Sequence, residues 1–315
     1  MVVDMRAKKP GKRWGRKFVD KRDFRVYNEQ LVKQGEYLLS CDFVEEWNDE
    51  LTLMNAGKFG APYKFPNSLI KLQSIWHAKR ICYRMIEGMT RDLCKIGQLP
   101  SYDDYSTVNR RVNKLAFVLS PPRGDNIVVF SDGTSLQAVA GGEYLREKYG
   151  KKNRRWVQLV ILGDAKTHEP VSYEVHIIQE SEANSTKRQL TKLLENDVPV
   201  ISIGGDGAMD SLPLYDFCAD HEITPIFKPD VNARTDTDSE LRNKVVNERN
   251  RLGYKRWVKK NRYGHRWPAT EGIFSAMKRI FGEQLAATSE KGMLQEAASK
   301  LWAYQRFKRF GESAV

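Results

Sequence analysis

The stretch "PVISIGGDGAMDSLPLYDFCADHEITPIFKP" (residues 199–229) contains two apolar runs separated by a glycine-rich turn and a helical segment. "PVISIGGD" is typical of a strand, "SLPLYDFCADHE" of a helix and "TPIFKP" of a second strand. A strand, a helix and a further strand in this order indicate an α/β arrangement, in which helices cover the faces of a sheet. The stretch therefore predicts the fold class of this part of the chain.

The residues before this stretch extend the same pattern. "SPPRGD" (residues 120–125) interrupts a helical region and marks a domain boundary. Beyond it, "NIVVFSD" predicts a strand, "SLQAVA" a second short strand, and "RWVQLVILGDAKTHEPVSYEVHII" a long strand, a turn and more extended residues. "STKRQLTKLLEND" then predicts a helix capped by Ser185. Strands first, followed by alternating helices and strands, predict a mixed sheet flanked by helices.

The region before the boundary has a helical pattern. Apolar residues recur at helical spacing in "FPNSLIKLQSIWHAKRICYRMIEGMTRDLCKIG" (65–97), with a helix start at Pro66 and a stop at Gly97. After a short turn, "DDYSTVNRRVNKLAFVL" (103–119) predicts a second helix whose polar face includes Asn109, Arg110, Arg111 and Lys114. Such a pair resembles a helix-turn-helix, whose second helix enters the major groove of DNA. A helical bundle with a solvated basic face has the same periodicity.

The chain is strongly basic. Its 315 residues include 52 Lys and Arg against 40 Asp and Glu, a net charge of +12. Such a charge attracts phosphates whatever the sequence, although a merely soluble basic protein has it too. Residues 1–25 contain ten Lys and Arg against three Asp and form either a basic arm that orders on a partner or a solubilising tail. We divide the chain into this arm, a helical region (26–119), an α/β domain (120–282) and a C-terminal helical extension (283–315).

Several classes of protein are disfavoured. The four cysteines are scattered, without a zinc-binding spacing, which suggests a reducing, intracellular setting. No apolar run approaches the roughly 18 residues that a membrane span needs. No apolar segment follows the basic N-terminus, as a secretory signal would require.

Three interpretations compete for Asp206 in "GGDGAMD". The string from Gly204 to Gly207 resembles the G-G-D-G signature of phosphofructokinases and of the NAD and diacylglycerol kinases, in which glycines let the backbone approach nucleotide phosphates. Alternatively, the carboxylate is a hard oxygen ligand for Mg²⁺. The third interpretation is a tight turn into the next helix, with Asp210 helping to cap it.

Two other carboxylates have unusual surroundings. Asp132 ends the run "IVVFSD", where α/β proteins place ligands, although a turn aspartate before Gly133 explains it equally. Residues 251–281 contain nine Lys and Arg but a single acid, Glu271, together with Trp257, Tyr263 and Trp267. Interleaved basic and aromatic residues suit a nucleic-acid backbone and unstacked bases. We expect Asp132, Asp206 and Glu271 to converge within about 4–8 Å, near enough to bracket a pair of metal ions.

The order of these motifs resembles the DDE transposases of bacterial and archaeal insertion sequences. In that family the first Asp ends the first strand, and the second lies in a glycine-containing turn after the fourth strand. The Glu belongs to a signature of Tyr, two residues, Arg, three residues, Glu, six residues and Lys. The matching positions are Asp132, Asp206, Tyr263, Arg266, Glu271 and Lys278, except that four residues separate Arg266 from Glu271.

The resemblance also covers the basic segment that begins "GGEYLREKYGKKNRRW" and the helical region before residue 120. It implies a ribonuclease H-like catalytic domain with a five-stranded mixed sheet. It also implies catalysis by Asp132, Asp206 and Glu271 with two Mg²⁺ or Mn²⁺ ions. Arg266 and Lys278 would hold phosphates, and Tyr263 would lie at the DNA. The residues on the second N-terminal helix, Asn109, Arg110, Arg111 and Lys114, and the basic arm would bind terminal inverted repeats.

The implied reaction is cleavage at the ends of a mobile element and attack of the freed 3′-hydroxyl on target DNA. Its partners would be double-stranded DNA and a second copy of the chain in the synaptic complex, in a prokaryotic cytoplasm near the nucleoid and not in a membrane. Another ribonuclease H-like nuclease and a non-catalytic DNA-binding relic remain alternatives. A nucleotide kinase is disfavoured, because it leaves the basic run at 251–281 unexplained.

Overall fold

The computed structural model of the protein describes residues 22–138 and 156–313. The predicted basic arm up to residue 21 and the basic stretch at 139–155 lie outside the described residues. The strands are β1 (Ile127–Ala138), β2 (Trp156–Asp164), β3 (Pro170–His176), β4 (Val200–Gly205), β5 (Thr224–Phe227) and β6 (Gln284–Leu285).

Five helices precede the sheet: α1 (Phe24–Tyr37), α2 (Trp47–Asn55), α3 (Asn67–Ala78), α4 (Tyr83–Lys95) and α5 (Tyr105–Val112). The later helices are α6 (Glu182–Glu195), α7 (Leu212–Asp220), α8 (Glu240–Leu252), α9 (Tyr254–Lys260), α10 (Arg266–Ala269), α11 (Glu271–Phe281) and α12 (Glu290–Ser313). Among the helices in 22–138 and 156–313, none combines the length and the apolar character that crossing a bilayer would need.

The strands form one mixed sheet in the order β3-β2-β1-β4-β5, and β6 pairs with the end of β1. β1 is antiparallel to β2 and parallel to β4, and β5 is parallel to β4. The predicted mixed α/β sheet with flanking helices is confirmed, with a sixth, two-residue strand added to the five expected. β1 is therefore the central strand, with helices packed on both of its faces.

The prediction of two separate strands at "NIVVFSD" and "SLQAVA" is wrong, because both stretches belong to the single strand β1. The chain stays extended through Gly133 because nine consecutive residues of β1 pair with β2, including Gly133 with Val160. An Asp-Gly pair favours a turn only when no neighbouring strand holds the backbone extended. Asp132 consequently lies in the middle of a strand and not at its end.

Each face of the sheet has its own hydrophobic core. On one face, residues of β1 and β4 such as Val129 and Ile203 pack against α6 and α7. On the other, Leu136 and the buried residues of β2 pack against α11, α12 and the N-terminal helices. The helices before residue 120 thus share a core with the sheet and with the C-terminal helix. This shared core fixes α11, which carries Glu271, against the sheet.

The long helix predicted over residues 67–97 is two helices, α3 and α4. Arg80 adopts a left-handed conformation (φ 69°), and the Ile81 amide donates to the Trp76 carbonyl at 3.1 Å, which ends α3. A non-glycine residue in this conformation costs roughly 1–2 kcal/mol and is invisible to hydrophobic periodicity. Apolar spacing alone therefore missed the break.

The second predicted helix of the N-terminal region, α5, ends at Val112 and occupies only part of the stretch 103–119. It is joined to α4 by residues 96–104, a longer connection than the roughly three to four residues of a helix-turn-helix. The region is helical, as expected. Its helix-turn-helix character stays a prediction.

Two predicted helix caps are wrong. α6 begins at Glu182 after Ser181, so Ser185 lies inside the helix, where its hydroxyl donates to Glu174 Oε2 at 2.9 Å. Asp210 does not cap α7: its carboxylate accepts two hydrogen bonds from Arg242, at 2.8 and 2.9 Å. In both cases the side chain bonds to a residue outside its own helix and does not cap the helix start.

Candidate active site

Asp132 projects from the middle of β1 toward α10 and α11. Its Oδ2 accepts hydrogen bonds from Arg266 Nη1 and from the Thr270 hydroxyl, each at 3.2 Å, and its Oδ1 accepts one from the Gly133 amide at 3.0 Å. Burial raises the pKa of Asp132, and the nearby Arg266 guanidinium opposes that rise. The carboxylate is therefore partly desolvated, and Arg266 is the cation that compensates for it.

Asp206 lies beside Asp132 at the end of the neighbouring parallel strand. Phe130 of β1 pairs with Gly204 of β4, so two residues further along each strand the two aspartates are adjacent. Strands in a sheet are about 4.8 Å apart, which brings the two carboxyl groups into the same region. Asp206 Oδ1 accepts a hydrogen bond from the Ala208 amide at 2.8 Å and begins a short 3-10 turn. The charge of Asp206 also contributes to raising the pKa of Asp132.

The glycines before Asp206 are required by packing. A Cβ at Gly204 would lie 2.2 Å from the Phe130 ring, and one at Gly205 would lie 2.3 Å from Met209 Cγ. Neither position leaves room for a side chain. By contrast, a Cβ at Gly207 would meet only the Lys228 carbonyl, at 3.8 Å. This pattern favours a close-packed strand end over a phosphate-binding loop.

Glu271 is the first residue of α11 and lies on the same face of the sheet as the Asp132 side chain. Arg266 Nη2 donates to Glu271 Oε1 at 3.0 Å, so one guanidinium contacts both Glu271 and Asp132. The structure thus brings these two carboxylates together from positions 139 residues apart in sequence. The extra residue between Arg266 and Glu271 is accommodated by Thr270, which separates α10 from α11.

Lys278 lies two turns beyond Glu271 on α11 and also faces β1. Its ammonium group donates to the carbonyl of the exposed Ser135 at 3.3 Å, and Lys278 itself is half-buried. α11 therefore lies along β1, with Glu271 near Asp132 and Lys278 near Ser135. A phosphate that approaches Asp132 would also be near Lys278.

Tyr263 is placed differently from the DNA-contact role expected for it. Its side chain is buried and packs with Trp257 and Phe130, at ring-centroid distances of 5.4 and 6.5 Å. Burial raises the pKa of Tyr263 to about 12. The aromatic ring supports the loop that precedes Arg266 from inside the protein. Trp267, in contrast, is exposed at the start of α10.

The four residues predicted to contact DNA from α5 and its end divide into two groups. Arg111 is tied to the protein: it donates to the Phe65 carbonyl at 3.1 Å and to Asn67 Oδ1 at 2.9 Å, and lies over the Tyr63 ring. The other three, Asn109, Arg110 and Lys114, are exposed to solvent. The internal bonds of this second group are local: Arg110 donates to the Ser106 carbonyl at 3.3 Å and to the Thr107 hydroxyl at 3.1 Å, and Asn109 Oδ1 accepts from Asn113 at 2.6 Å.

A fourth carboxylate, Glu182, was not found from the sequence. It lies in the first turn of α6, and its Oε1 would be 2.1 Å from a Cβ at Gly133. Burial, followed by the charges of Asp132 and Asp206, raises the pKa of Glu182 to about 7. In the sequence, Glu182 looks like an ordinary acid at a helix N-terminus, so no local signal distinguishes it.

The chemistry of the site suits a divalent cation. All of its acids offer hard oxygen ligands, and Arg266 already supplies positive charge between two of them. Within residues 22–138 and 156–313, however, no three His, Cys, Asp or Glu side chains are grouped closely enough to hold a metal ion as they stand. Asp132, Asp206 and Glu271 fit the cation by donor type, and their side chains would have to turn toward it.

Comparison with known proteins identifies the family. No curated protein matches the chain. The family model described as "Transposase DDE domain" matches residues 123–305, which is more than half of the chain and includes Asp132, Asp206 and Glu271. The match starts at the predicted boundary near residue 120 and extends into α12, which packs against the sheet. The chain therefore belongs to the family of DDE-domain transposases.

Proposed function

We propose that the protein cleaves the ends of a mobile DNA element and joins the freed 3′-hydroxyl to target DNA. The observation that carries this proposal is the contact of one guanidinium, that of Arg266, with both Asp132 and Glu271, while Asp206 lies beside Asp132. An acid on β1, an acid directly after β4 and an acid on α11 thus support a single catalytic site. The strand order of the sheet supports a ribonuclease H-like catalytic domain.

In this proposal, Asp132, Asp206 and Glu271 hold two Mg²⁺ or Mn²⁺ ions. Such a pair, about 4 Å apart, activates the attacking oxygen and stabilises the leaving oxygen in phosphoryl transfer. Arg266 opposes the rise that burial causes in the pKa of Asp132, and Lys278 offers an ammonium group to a DNA phosphate. Both cations therefore lie where they can position the DNA backbone.

The proposed substrate is double-stranded DNA, namely the terminal inverted repeats and then the target, bound by a homodimer. The net charge of +12 supports binding to a polyanion. The exposed side chains at α5, Asn109, Arg110 and Lys114, are the proposed contacts to the repeats. A prokaryotic cytoplasm is the proposed site of action.

The test uses the full chain and DNA that flanks its gene, searched for inverted repeats. We expect Asp206→Asn, Asp132→Asn and Glu271→Gln each to reduce Mg²⁺-dependent cleavage of element-end DNA to background while binding is retained. Asp220→Asn, at the exposed end of α7, is the matched control and should cleave as the wild type does. Full cleavage by Asp206→Asn would contradict the assignment.

Strand transfer is measured in the same reaction with a second DNA as target. Joining of the cut 3′ end to the target supports a transposase. Cleavage without joining would instead support another ribonuclease H-like nuclease. Binding by the wild type with neither reaction, in Mg²⁺ or Mn²⁺, would identify a non-catalytic relic.

A further inference from the structure

We propose that Lys228 is a phosphate-binding residue of the active site, which the Tyr254 ring holds beside Asp206 so that it contacts the DNA backbone. This inference rests on the proposed function of that site. It extends the site to the segment after β5, to which none of the acids and cations described above belongs.

The first observation is the register of three neighbouring parallel strands. Gly204 of β4 pairs with Phe130 of β1 on one side and with Ile226 of β5 on the other. Two residues further along, the same three strands bring charged residues into one row across the sheet: Asp132, Asp206 and Lys228. The Lys228 amide donates to the Gly205 carbonyl at 3.4 Å, which continues this register beyond the end of β5. Because neighbouring strands are about 4.8 Å apart, the two ends of the row are about 10 Å apart, with Asp206 between them.

The second observation is the face of the sheet that this row occupies. Phe130 and Ile226 belong to one buried cluster with residues of α9 and α10. Residues two apart in a strand share a face, so Asp132 and Lys228 also face α9 and α10. The contact of the Lys228 ammonium group with Tyr254, the first residue of α9, agrees with this orientation. The acids and the lysine therefore lie on the same side of the sheet.

The third observation concerns the surroundings of the Lys228 ammonium group. Its Nζ lies 5.8 Å from the centroid of the Tyr254 ring, and both side chains are exposed. Within residues 22–138 and 156–313, no carboxylate forms an ion pair with this group, although Asp206 is its neighbour in the row. A lysine that lies beside acids but pairs with none of them offers its charge to an external anion, and phosphate is an anion that lysine commonly binds.

The fourth observation is the charge of the neighbouring helix. Lys255, Arg256 and Lys259 of α9 are exposed, and none of them has a carboxylate partner in the part of the chain that the structure describes. The side of the site next to β5 is therefore positive, which attracts a polyanion. Lys278 lies on a different side of the same acids, along β1. A DNA strand with one phosphate at the acids would thus meet Lys278 along β1 and Lys228 across the sheet.

The test measures DNA binding by the full chain over a range of salt concentrations, in EDTA so that the DNA stays intact. We expect Lys228→Gln to reduce the slope of log affinity against log salt by about 1, the value for one lost phosphate contact. Lys228→Arg keeps the charge and should keep the slope. The matched control is Lys187→Gln, which removes an exposed lysine that lies over the Phe217 ring on the opposite face of the sheet. A wild-type slope in Lys228→Gln would overturn the inference.

Two duplexes identify the DNA that Lys228 contacts. One contains the inverted repeat that flanks the gene, and the other has an unrelated sequence and represents target DNA. A reduced slope with the first duplex alone assigns the contact to the element end, and with the second alone to the target. A reduced slope with both shows that the residue binds the backbone of either DNA.

Neutral methylphosphonate groups, introduced one at a time into the bound duplex, distinguish a direct contact from a structural role. In the wild type, neutralising the contacted phosphate should weaken binding. The same change should have no further effect in Lys228→Gln, because the partner of that phosphate is already absent. Additive effects at every phosphate would overturn the direct contact. Tyr254→Ala should also weaken binding, whereas Tyr254→Phe keeps the ring and should bind as the wild type does; equal binding by Tyr254→Ala would overturn the role of the ring.

The wild type separates failure of this inference from failure of the proposed function. If the wild type binds and cleaves element-end DNA but Lys228→Gln binds with the wild-type slope, only the role of Lys228 is wrong. If the wild type neither binds nor cleaves that DNA, the proposed function is wrong, and the role of Lys228 falls with it.

Discussion

Arg266 Nη1 lies 3.2 Å from Asp132 Oδ2, although the two residues are 134 positions apart in sequence. The same guanidinium donates to Glu271, so a single cation stabilises an acid on the central strand and an acid on a helix. Both members of the Arg266–Asp132 pair are largely shielded from solvent, with side-chain exposures of 21% and 15%. The contact therefore links α10 to the centre of the sheet.

We predict that Arg266→Gln lowers the free energy of unfolding in metal-free buffer by about 1–3 kcal/mol, the usual value of a hydrogen bond to a charged group. The reason is that Asp132 would lose the cation that opposes its desolvation. Urea unfolding measures the change. Lys278→Gln is the control, because that side chain donates to a backbone carbonyl and not to a buried carboxylate, so it should lower stability less than Arg266→Gln does. Equal stability of Arg266→Gln and the wild type would contradict the prediction.

The glycines around Asp206 should differ in their tolerance of alanine. Gly204→Ala should lower stability by about 1–3 kcal/mol or more, because its Cβ would overlap the buried Phe130 ring. Gly207→Ala should be nearly neutral, since its Cβ would have only an ordinary contact. Chemical denaturation and DNA cleavage are the two measurements. A Gly207→Ala protein that folds normally but fails to cleave would revive the phosphate-loop interpretation.

Asp103 should make stability depend on pH. Burial raises the pKa of this carboxyl from 3.8 to about 6, and the Gln73 side-chain amide donates to it at 2.5 Å. Because the folded state holds the proton more tightly, the stabilisation by the protonated form is fully present below about pH 4 and is lost as the pH rises through about 6. Asp103→Asn should therefore raise stability at pH 7 by about 1–3 kcal/mol. Urea unfolding at several pH values between 4 and 7 measures the effect.

The neighbouring Asp104 provides the control, since its carboxylate is exposed and its pKa is lowered, whereas Asp103 is buried and its pKa is raised. The hydroxyls of Ser106 and Thr107 and the backbone amide of Thr107 hold the pKa of Asp104 well below its usual range, and the residue caps α5. Asp104→Ala should lower stability at pH 7 by about 1 kcal/mol, as the loss of an N-cap usually does. Stability of Asp103→Asn at or below that of the wild type at pH 7 would disprove the interpretation of Asp103.

Substitutions of the basic residues at α5 should affect DNA binding at Arg110 and Lys114 but stability at Arg111. Arg110→Ala, like Lys114→Ala, should weaken DNA binding and reduce the slope of log affinity against log salt by about 1, as expected for a lost phosphate contact. Arg111→Ala should instead lower stability by about 1–3 kcal/mol, because its bonds to Phe65 and Asn67 are internal. Salt titrations of DNA binding and urea unfolding check the two effects. An unchanged salt slope in Arg110→Ala would remove α5 from the proposed DNA interface.

Much of the architecture could be predicted because it is encoded locally. The apolar run at 157–162 is a buried strand, the run at 200–203 is a strand buried except at Ile201, and the helical spacing at 183–193 buries one face of α6. The order of the three acidic motifs was sufficient to indicate the family, which the match over residues 123–305 confirms. Where these local signals failed, at Gly133 and Arg80, pairing with a neighbouring strand and a left-handed backbone decided the conformation.

By itself, the sequence determined most of the elements, the family and the candidate acids, because hydrophobic periodicity and motif order depend on residues close together in the chain. Only the tertiary structure decided which side chains share one region of space. It paired Arg266 with Asp132 and Glu271, brought Glu182 over Gly133 and buried Tyr263. These relationships depend on strand register and on helix packing across the sheet, which connect residues that no local pattern relates.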